Sequence, residues 1–272
     1  GKDFRYWVGA NLSYNQSEII EKKETPQSYA YRMVKGHRIG ADKTAGYKFF
    51  EYYSENTAAH YKAVYGVDFP TQIIDGLRPG DCTYVDLNGD GKIDSQDITL
   101  EQGYTEDPEY TLGLNLGFSW KRLSVNTQWT GAWNVSRVLG GNFRFPFYSA
   151  NTYTEGGLLK YIVENSWTEE NPDPNARYPR VSVDHGKVNN YANSDLYSVD
   201  SKYLRLKTVS ITYDFLFPLM KKLGLTNLQL GVSGYNLLTF TPFIWGDPET
   251  RVDDGPSYPL QRTYTATLKV GF

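Results

Sequence analysis

The residues best suited to chemistry form an acidic turn from Asp86 to Asp97, which reads Asp-Leu-Asn-Gly-Asp-Gly-Lys-Ile-Asp-Ser-Gln-Asp. Its spacing matches the calcium-loop pattern D-x-[DN]-x-[DN]-G, which places oxygen ligands at positions 1, 3 and 5, a glycine at 6 and a backbone carbonyl at 7. The pattern predicts a site for Ca²⁺ or Mg²⁺. The predicted ligands are Asp86, Asn88, Asp90, the Lys92 carbonyl, Asp94 and Asp97.

Position 12 of this turn departs from the pattern, because Asp97 stands where calcium loops carry a bidentate glutamate. The shorter carboxylate weakens the case for calcium and leaves magnesium or an empty loop open. The alternative is that Asn88-Gly89 and Asp90-Gly91 serve only as tight turns. No long helix pair flanks the segment, so a regulatory switch is not expected.

No other group of residues predicts catalysis or a cofactor. The acids Asp247-Pro-Glu249 and Asp253-Asp254 lie in a polar loop, where solvated surface carboxylates are the expectation. Cys82 is the only cysteine, which excludes an intrachain disulfide and a multi-cysteine zinc site. The three histidines share no short spacing, and no phosphate-binding loop is present. The chain is therefore predicted not to be an enzyme.

Composition agrees with a β protein that meets a membrane. The 272 residues include 23 Tyr, 13 Phe and 6 Trp, and the net charge of −3 gives no indication of a nucleic-acid partner. Mean hydropathy is −0.53 and no apolar run is long enough for a transmembrane helix. Barrel strands, in which every second residue is apolar, average to such a value.

Strict alternation of apolar and polar residues predicts the β-strands that carry the acidic turn and the other loops. In Tyr110 to Trp120, six apolar residues oppose five small or polar ones, and only Lys121-Arg122 separate this segment from the next alternating run. A two-residue link between such runs indicates a hairpin. Six strands are predicted, near residues 4–15, 110–120, 123–133, 202–215, 226–240 and 260–272.

Two features inside these elements give further expectations. The apolar parity of the strand at 202–215 changes near Lys207-Thr208, which predicts a bulge or an upper segment outside the apolar band. Trp7 is the one apolar residue on the polar face of the first strand. Aromatic residues crowd the long loops, where they either bind a partner or pack the loops together; they are Phe49, Phe50, Tyr52, Tyr53, Phe143, Phe145, Phe147, Tyr148, Tyr153, Phe243 and Trp245.

The connections alternate between long and short, as in outer-membrane barrels with long extracellular loops and short periplasmic turns. Counting back from a periplasmic C-terminus makes 16–109, 134–201 and 241–259 the extracellular loops. Phe272 is then expected to face lipid at the periplasmic rim and Lys269 to face the lumen. Six strands cannot close a transmembrane barrel, so we expect the sheet to pair at both edges with further strands.

Several motifs in this order resemble the C-terminal part of SusC/RagA-type TonB-dependent transporters of Bacteroidota. They are Pro79-Gly-Asp81, Tyr84 to Asp94, Pro108 to Gly113, Tyr178-Pro-Arg180, Tyr203 to Lys207, Asn236-Leu-Leu238, Gly246 to Glu249, Tyr258-Pro and Arg262-Thr-Tyr264. The resemblance covers essentially all of residues 1–272.

The resemblance implies an all-β fold, in which six antiparallel strands form the C-terminal part of a 22-stranded barrel in the outer membrane of a Gram-negative bacterium. It also implies import of glycans or peptides with a SusD-like surface lipoprotein. The other implied partners are the N-terminal barrel and plug of the same transporter, TonB, outer-membrane lipid and an oligosaccharide or peptide substrate.

Two other readings are weighed on the residues themselves. A secreted all-β carbohydrate-binding module with a dockerin-like calcium loop would use the apolar faces as a dry core, but it predicts short loops. A glycoside hydrolase would need a carboxylate pair at the strand ends, and the acid pairs lie in loops.

Overall fold

A computed structural model describes residues 3–148, 156–250 and 260–272 of the chain. Tyr153, the pair Asp253-Asp254 and the Tyr258-Pro motif lie outside these residues. The strands in chain order are β1 (Phe4–Tyr14), β2 (Phe49–Tyr52), β3 (Cys82–Tyr84), β4 (Tyr110–Trp120), β5 (Leu123–Trp133), β6 (Ser136–Val138), β7 (Ser198–Asp200), β8 (Tyr203–Phe215), β9 (Asn227–Phe240) and β10 (Thr263–Gly271).

The six long strands form one antiparallel sheet in the order β1-β4-β5-β8-β9-β10, as the alternation predicts. The short link at 121–122 makes the expected hairpin, since Trp120 pairs with Leu123. Lys121 has a φ of 53°, the left-handed conformation that such a tight turn requires. β1 and β10 lie at the two edges of the sheet.

The two faces of the sheet differ in chemistry because successive side chains point to opposite sides. One face, called the apolar face below, carries exposed large side chains such as Tyr6, Leu12 and Leu268, which are 64 to 75% exposed. The opposite face, the polar face, carries Ser, Thr, Asn, Gln and Gly. A soluble sheet packs its apolar side against a second layer, and the described residues provide no layer over these side chains.

A bulge interrupts the sheet at Lys207, as the change of parity predicts. Pairing with β5 passes from Thr208 to Leu206 without a partner for Lys207, and pairing with β9 shifts at the same level. Asn236 of β9 lies opposite this point with a φ of 54°. The bulge keeps Leu204 and Leu206 on the apolar face together with Val209 and Ile211, and it leaves Arg205 on the polar face.

The exception at Trp7 has a structural reason. Trp7 pairs with Gly117, and its indole N–H donates to the Asn126 side chain at 3.1 Å. A Cβ at Gly117 would lie 2.3 Å from the ring. The ring therefore occupies the space that the glycine leaves free on the polar face.

Gly117→Ala is expected to lower the thermal unfolding temperature in detergent, because the ring of Trp7 must shift to admit the methyl group, at a cost of about 1–3 kcal/mol. Circular dichroism of the strands measures this change. The matched control is Gly9→Ala, whose new Cβ would come no closer than 4.0 Å to Asn115. Equal unfolding temperatures for the two variants would contradict the packing argument.

The long connections fold into a loop body, made of residues 15–109, 134–148, 156–202 and 241–250. Besides β2, β3, β6 and β7 it contains the helices α1 (Ala41–Thr44), α2 (Thr57–Tyr65), α3 (Gly141–Arg144) and α4 (Lys160–Asn165), with 3₁₀ turns at Ala30–Arg32, Ser95–Asp97, His185–Lys187, Asn189–Tyr191 and Asp195–Tyr197. A short helix, α5 (Leu219–Lys222), lies in the turn between β8 and β9. Within the described ranges, no helix is long and apolar enough to cross a membrane.

Two buried clusters hold the loop body together. The first consists of Tyr52, Cys82, Tyr84, Ile93 and Trp167, and the second of Leu139, Ile162, Tyr178, Tyr197 and Phe243. Buried amides join the connections to each other, since Asn189 accepts from Ile74 N at 2.8 Å and Asn190 accepts from Cys82 N at 2.9 Å. Residues far apart in sequence thus share one core.

Candidate functional site: the acidic turn and the loop body

The acidic turn follows β3 and winds around its own carboxylates. Asp86 accepts hydrogen bonds from the backbone N–H groups of Gly89 at 2.6 Å and Gly91 at 2.8 Å. Asn88 accepts from Asp90 N at 2.9 Å. Both glycines have left-handed φ values, 77° and 83°. The turn-forming role of Asn-Gly and Asp-Gly is therefore present.

On the outer side of the turn, the ammonium group of Lys92 lies among the carboxylates. Lys92 Nζ lies 2.9 Å from the Asp94 carboxylate and 3.9 Å from that of Asp90. The pKa of Asp94 is lowered, mainly by the backbone N–H of Gln96 and then by Lys92. An ammonium group therefore stands beside two of the predicted ligands, where it would compete with a divalent ion.

Asp97, the predicted ligand at position 12, points into the loop body and is fully buried. Its carboxylate accepts from Leu87 N at 2.9 Å and from Asp94 N at 2.8 Å, which closes a capping box on the 3₁₀ turn at Ser95–Asp97. Burial raises the pKa of Asp97, and the backbone N–H groups oppose that rise. Both oxygens are thus committed to the backbone.

The turn is joined to the rest of the loop body by short contacts. Thr71 forms a parallel bridge with Lys92, and Asp86 N donates to the hydroxyl of Tyr61, which is buried. Of the predicted ligands, Asp86, Asn88 and Asp90 lie within one turn of backbone while Asp97 faces inward. Over the described part of the chain, no group of three or more His, Cys, Asp or Glu side chains is arranged to hold a metal ion.

A second polar cluster, the Arg205 cluster, lies where the 241–250 loop meets the polar face. The Arg205 side chain is 1% exposed and donates to Asp247 at 2.7 Å, Glu249 at 3.0 Å and the Thr239 hydroxyl at 3.0 Å. Lys207 lies 3.6 Å from Glu249. The expectation of solvated acids at Asp247-Pro-Glu249 is therefore wrong, because these carboxylates neutralise a buried guanidinium.

This cluster borders a cavity of about 360 Å³ between the 241–250 loop and β8 and β9. Trp245 and Arg262 also line the cavity. Sequence reasoning missed Arg205 as a site residue. The available signal was an arginine on the polar face of β8 with an acid pair in the loop that follows the next strand, β9.

Several of the aromatic residues in the long loops pack inside the loop body. Tyr52 and Phe243 belong to the two buried clusters, and Phe49 and Trp245 pack against them. The indole N–H of Trp245 donates to the Tyr178 hydroxyl at 2.7 Å. Packing is thus established for these four rings.

Cys82 is a buried residue of strand β3. Its side chain is fully enclosed in the first cluster, and burial raises the pKa of the thiol well above its ordinary value. A protonated, enclosed thiol is a poor nucleophile. Its role is packing.

Comparison with known proteins places these features in context. No family model matches the chain. The chain is similar to TonB-dependent receptor P3 of Formosa agariphila, at 27% identity over 300 residues, which covers 100% of the chain and 27% of the receptor. It is also similar to TonB-dependent receptor P26 of the same organism, at 30% identity over 216 residues, covering 72% of the chain and 20% of that receptor.

Solved structures give the same picture at the level of the fold. The chain aligns with the RagAB peptide transporter at a TM-score of 0.66 and 18% identity, and with the RagAB peptide importer in the open-open state at 0.65 and 19%. Each alignment covers 100% of this chain and 27% of the other. The chain therefore spans about a quarter of the length of the proteins that it matches.

Proposed function

The chain belongs to the SusC/RagA-type TonB-dependent transporters, and from that premise we propose that it forms part of the wall and outer loops of an outer-membrane importer. The observation that carries this proposal is the six-stranded sheet itself, with its large exposed side chains on one face. In a membrane barrel such a face contacts lipid, so its apolar side chains need no second protein layer to cover them. The role is structural and transport-related, and no catalytic step is assigned.

Orientation follows from the connections. The links at 121–122 and 216–226 are short and leave one end of the sheet, whereas the loop body leaves the other end. In outer-membrane barrels the short turns are periplasmic and the long loops extracellular. The loop body is then extracellular, Phe272 lies at the periplasmic rim and Lys269 faces the lumen.

The open edges support pairing with further strands. In the described part of the chain, β1 and β10 each have one neighbouring strand. An unpaired edge in lipid would cost several kcal/mol for each unsatisfied backbone group. We assign the missing neighbours to the N-terminal barrel of the same transporter, which would complete 22 strands around a plug. TonB would act through that N-terminal part.

The substrate is a glycan or a peptide, delivered with a SusD-like lipoprotein that docks on the loop body. The RagAB peptide importer, whose fold this chain shares in part, has been solved in open-open and closed-closed states. A loop body with its own buried core offers an ordered docking surface to a partner that opens and closes. These points support the lipoprotein partnership.

Uptake measurements test the importer. Cells that lack the full-length transporter are expected to lose uptake of one labelled class, oligosaccharides or peptides, and a complementing gene is expected to restore it only when TonB is active. The lipoprotein is expected to copurify with the transporter in detergent. Release of the protein from membranes without detergent would contradict the barrel and favour the secreted binding module.

The acidic turn is proposed to bind Ca²⁺ or Mg²⁺ on its outer side and so to stiffen the loop body for docking. Asp86, Asn88, Asp90, the Lys92 carbonyl and Asp94 would hold the ion. Asp97 completes the predicted set, but it would have to give up backbone hydrogen bonds to do so. The ion would supply charge neutralisation among the carboxylates.

Two alanine variants of the full-length transporter separate the ion from the backbone cap. Asp97→Ala is expected to speed amide exchange across the turn with or without calcium, because two N–H groups lose their acceptor at about 1–3 kcal/mol. Asp90→Ala is expected to remove any calcium-dependent protection and to disturb the ion-free turn less than Asp97→Ala, because the Asp90 carboxylate is exposed and accepts from one backbone N–H group, that of Lys92 at 3.1 Å. Hydrogen exchange with calcium and with a chelator gives both results.

If wild-type exchange is identical in calcium, magnesium and chelator, the ion proposal is wrong. The capping role of Asp97 would then stand alone.

A further inference from the structure

The end of the sheet with the short turns carries an open cleft of about 720 Å³ on the apolar face. Trp120, Leu123 and Tyr213 line it in one row across three neighbouring strands, since Trp120 pairs with Leu123 and Leu123 pairs with Tyr213. Trp120 is 52% exposed and Tyr213 is 41% exposed. Two large amphipathic rings therefore stand uncovered at the rim of the face that we assign to lipid.

Two cationic side chains line this cleft. Lys121 and Arg122 line it, and Lys121 Nζ lies 5.3 Å from the centre of the Trp120 ring. Arg122 donates one N–H to the Leu216 carbonyl at 3.1 Å, which ties the two short turns together. Lys222 of α5 is exposed on the second turn. Among the described residues that line the cleft, Asp3 is the one acid.

The arrangement combines three properties of a lipid-headgroup site. Aromatic rings favour the boundary between acyl chains and headgroups, long basic side chains extend from that boundary toward phosphates, and basic pockets at the rim of membrane proteins bind anionic headgroups. Leu216, 67% exposed, adds apolar surface beside Arg122. The charge excess at the cleft is positive, which selects an anionic occupant.

We infer that this cleft, the headgroup cleft, binds the phosphate headgroup of an anionic phospholipid of the periplasmic leaflet. Lys121 and Arg122 contact the phosphate, Trp120 and Tyr213 flank the glycerol and upper acyl chains, and Lys222 contributes longer-range attraction. The inference rests on the proposed function, because it needs the apolar face in lipid and the short turns on the periplasmic side.

The test uses the full-length transporter in nanodiscs of phosphatidylethanolamine with and without phosphatidylglycerol. Native mass spectrometry after detergent release is expected to show retained phosphatidylglycerol on the wild type. Lys121→Gln with Arg122→Gln is expected to reduce retention about fivefold for each cation removed. Lys222→Gln leaves the hairpin intact and is expected to give a smaller loss in the same direction. The matched control is Lys160→Gln, an exposed loop lysine, with retention unchanged.

Competition identifies the source of the phosphate. Inorganic phosphate is expected not to displace the lipid, and lipid A is expected to be retained no better by the wild type than by the double variant. Full displacement by inorganic phosphate, selective retention of lipid A, or equal retention by wild type and both variants would each overturn the inference.

The two proposals fail in different ways. A wild-type transporter that imports substrate but shows no preference for phosphatidylglycerol contradicts only the headgroup cleft. A protein that leaves the membrane without detergent contradicts the importer itself.

Discussion

Arg205→Met in the full-length transporter is expected to free the 241–250 loop from the polar face. The variant removes the three hydrogen bonds that Arg205 donates to Asp247, Glu249 and Thr239. Asp247 and Glu249 then lose their main counter-charge, although their side chains are only 15% and 22% exposed. Breaking one partner of a buried ion pair costs about 3–5 kcal/mol. The expected result is faster amide exchange and protease cleavage within residues 241–250.

A surface pair provides the matched control. Lys202 lies 2.7 Å from Asp200, with both side chains about half exposed, so Lys202→Met is expected to change local stability by no more than about 1 kcal/mol. Arg205→Lys is expected to recover little, since one ammonium cannot reproduce the planar fork that reaches two carboxylates. Similar exchange for Arg205→Met and wild type would show that the cluster does not hold the loop.

Gly80→Ala is expected to disrupt the first buried cluster of the loop body. Gly80 has a φ of 83°, and a Cβ there would lie 2.1 Å from Cε3 of Trp167. The left-handed backbone costs a non-glycine residue about 1–2 kcal/mol. Expelling the indole from the cluster costs about 3 kcal/mol or more in addition. Intrinsic Trp fluorescence and exchange at Cys82–Tyr84 measure the loss of packing.

Gly76→Ala separates the two contributions to that effect. Gly76 has a similar φ of 78°, but a Cβ there meets nothing within 4 Å, so this variant bears only the backbone cost. We expect Gly76→Ala to leave the fluorescence of the cluster nearly unchanged. If Gly80→Ala and Gly76→Ala lower the stability by the same amount, the contact between Gly80 and Trp167 does not contribute to stability.

The strands of the sheet were predictable because their signal is local. A side-chain period of two over Tyr110–Trp120 identifies a strand and assigns its two faces without reference to any other part of the chain. The break in that period at Lys207 predicted the bulge for the same reason. The last strand begins at Thr263, later than the expected start at 260. Alternation of side chains does not show at which residue the pairing with the neighbouring strand begins.

The loop body was not predictable in the same way. Alternation and turn residues do not say which loop aromatics meet, and whether Tyr52 or Phe243 binds a partner or fills a core depends on neighbours supplied by distant segments. The same holds for the acid pair Asp247-Pro-Glu249. Its counter-charge, Arg205, lies about forty residues earlier in the chain.

The alternating strands, the hairpin at 121–122, the bulge and the acidic turn can all be read from the sequence, because short-range stereochemistry dictates each of them. Three outcomes depend on the folded structure: Asp97 caps the backbone from inside, Trp7 fills the space above Gly117, and Arg205 is buried among acids. Those outcomes depend on burial, and burial is a property of segments brought together by folding, which no local pattern of residues encodes.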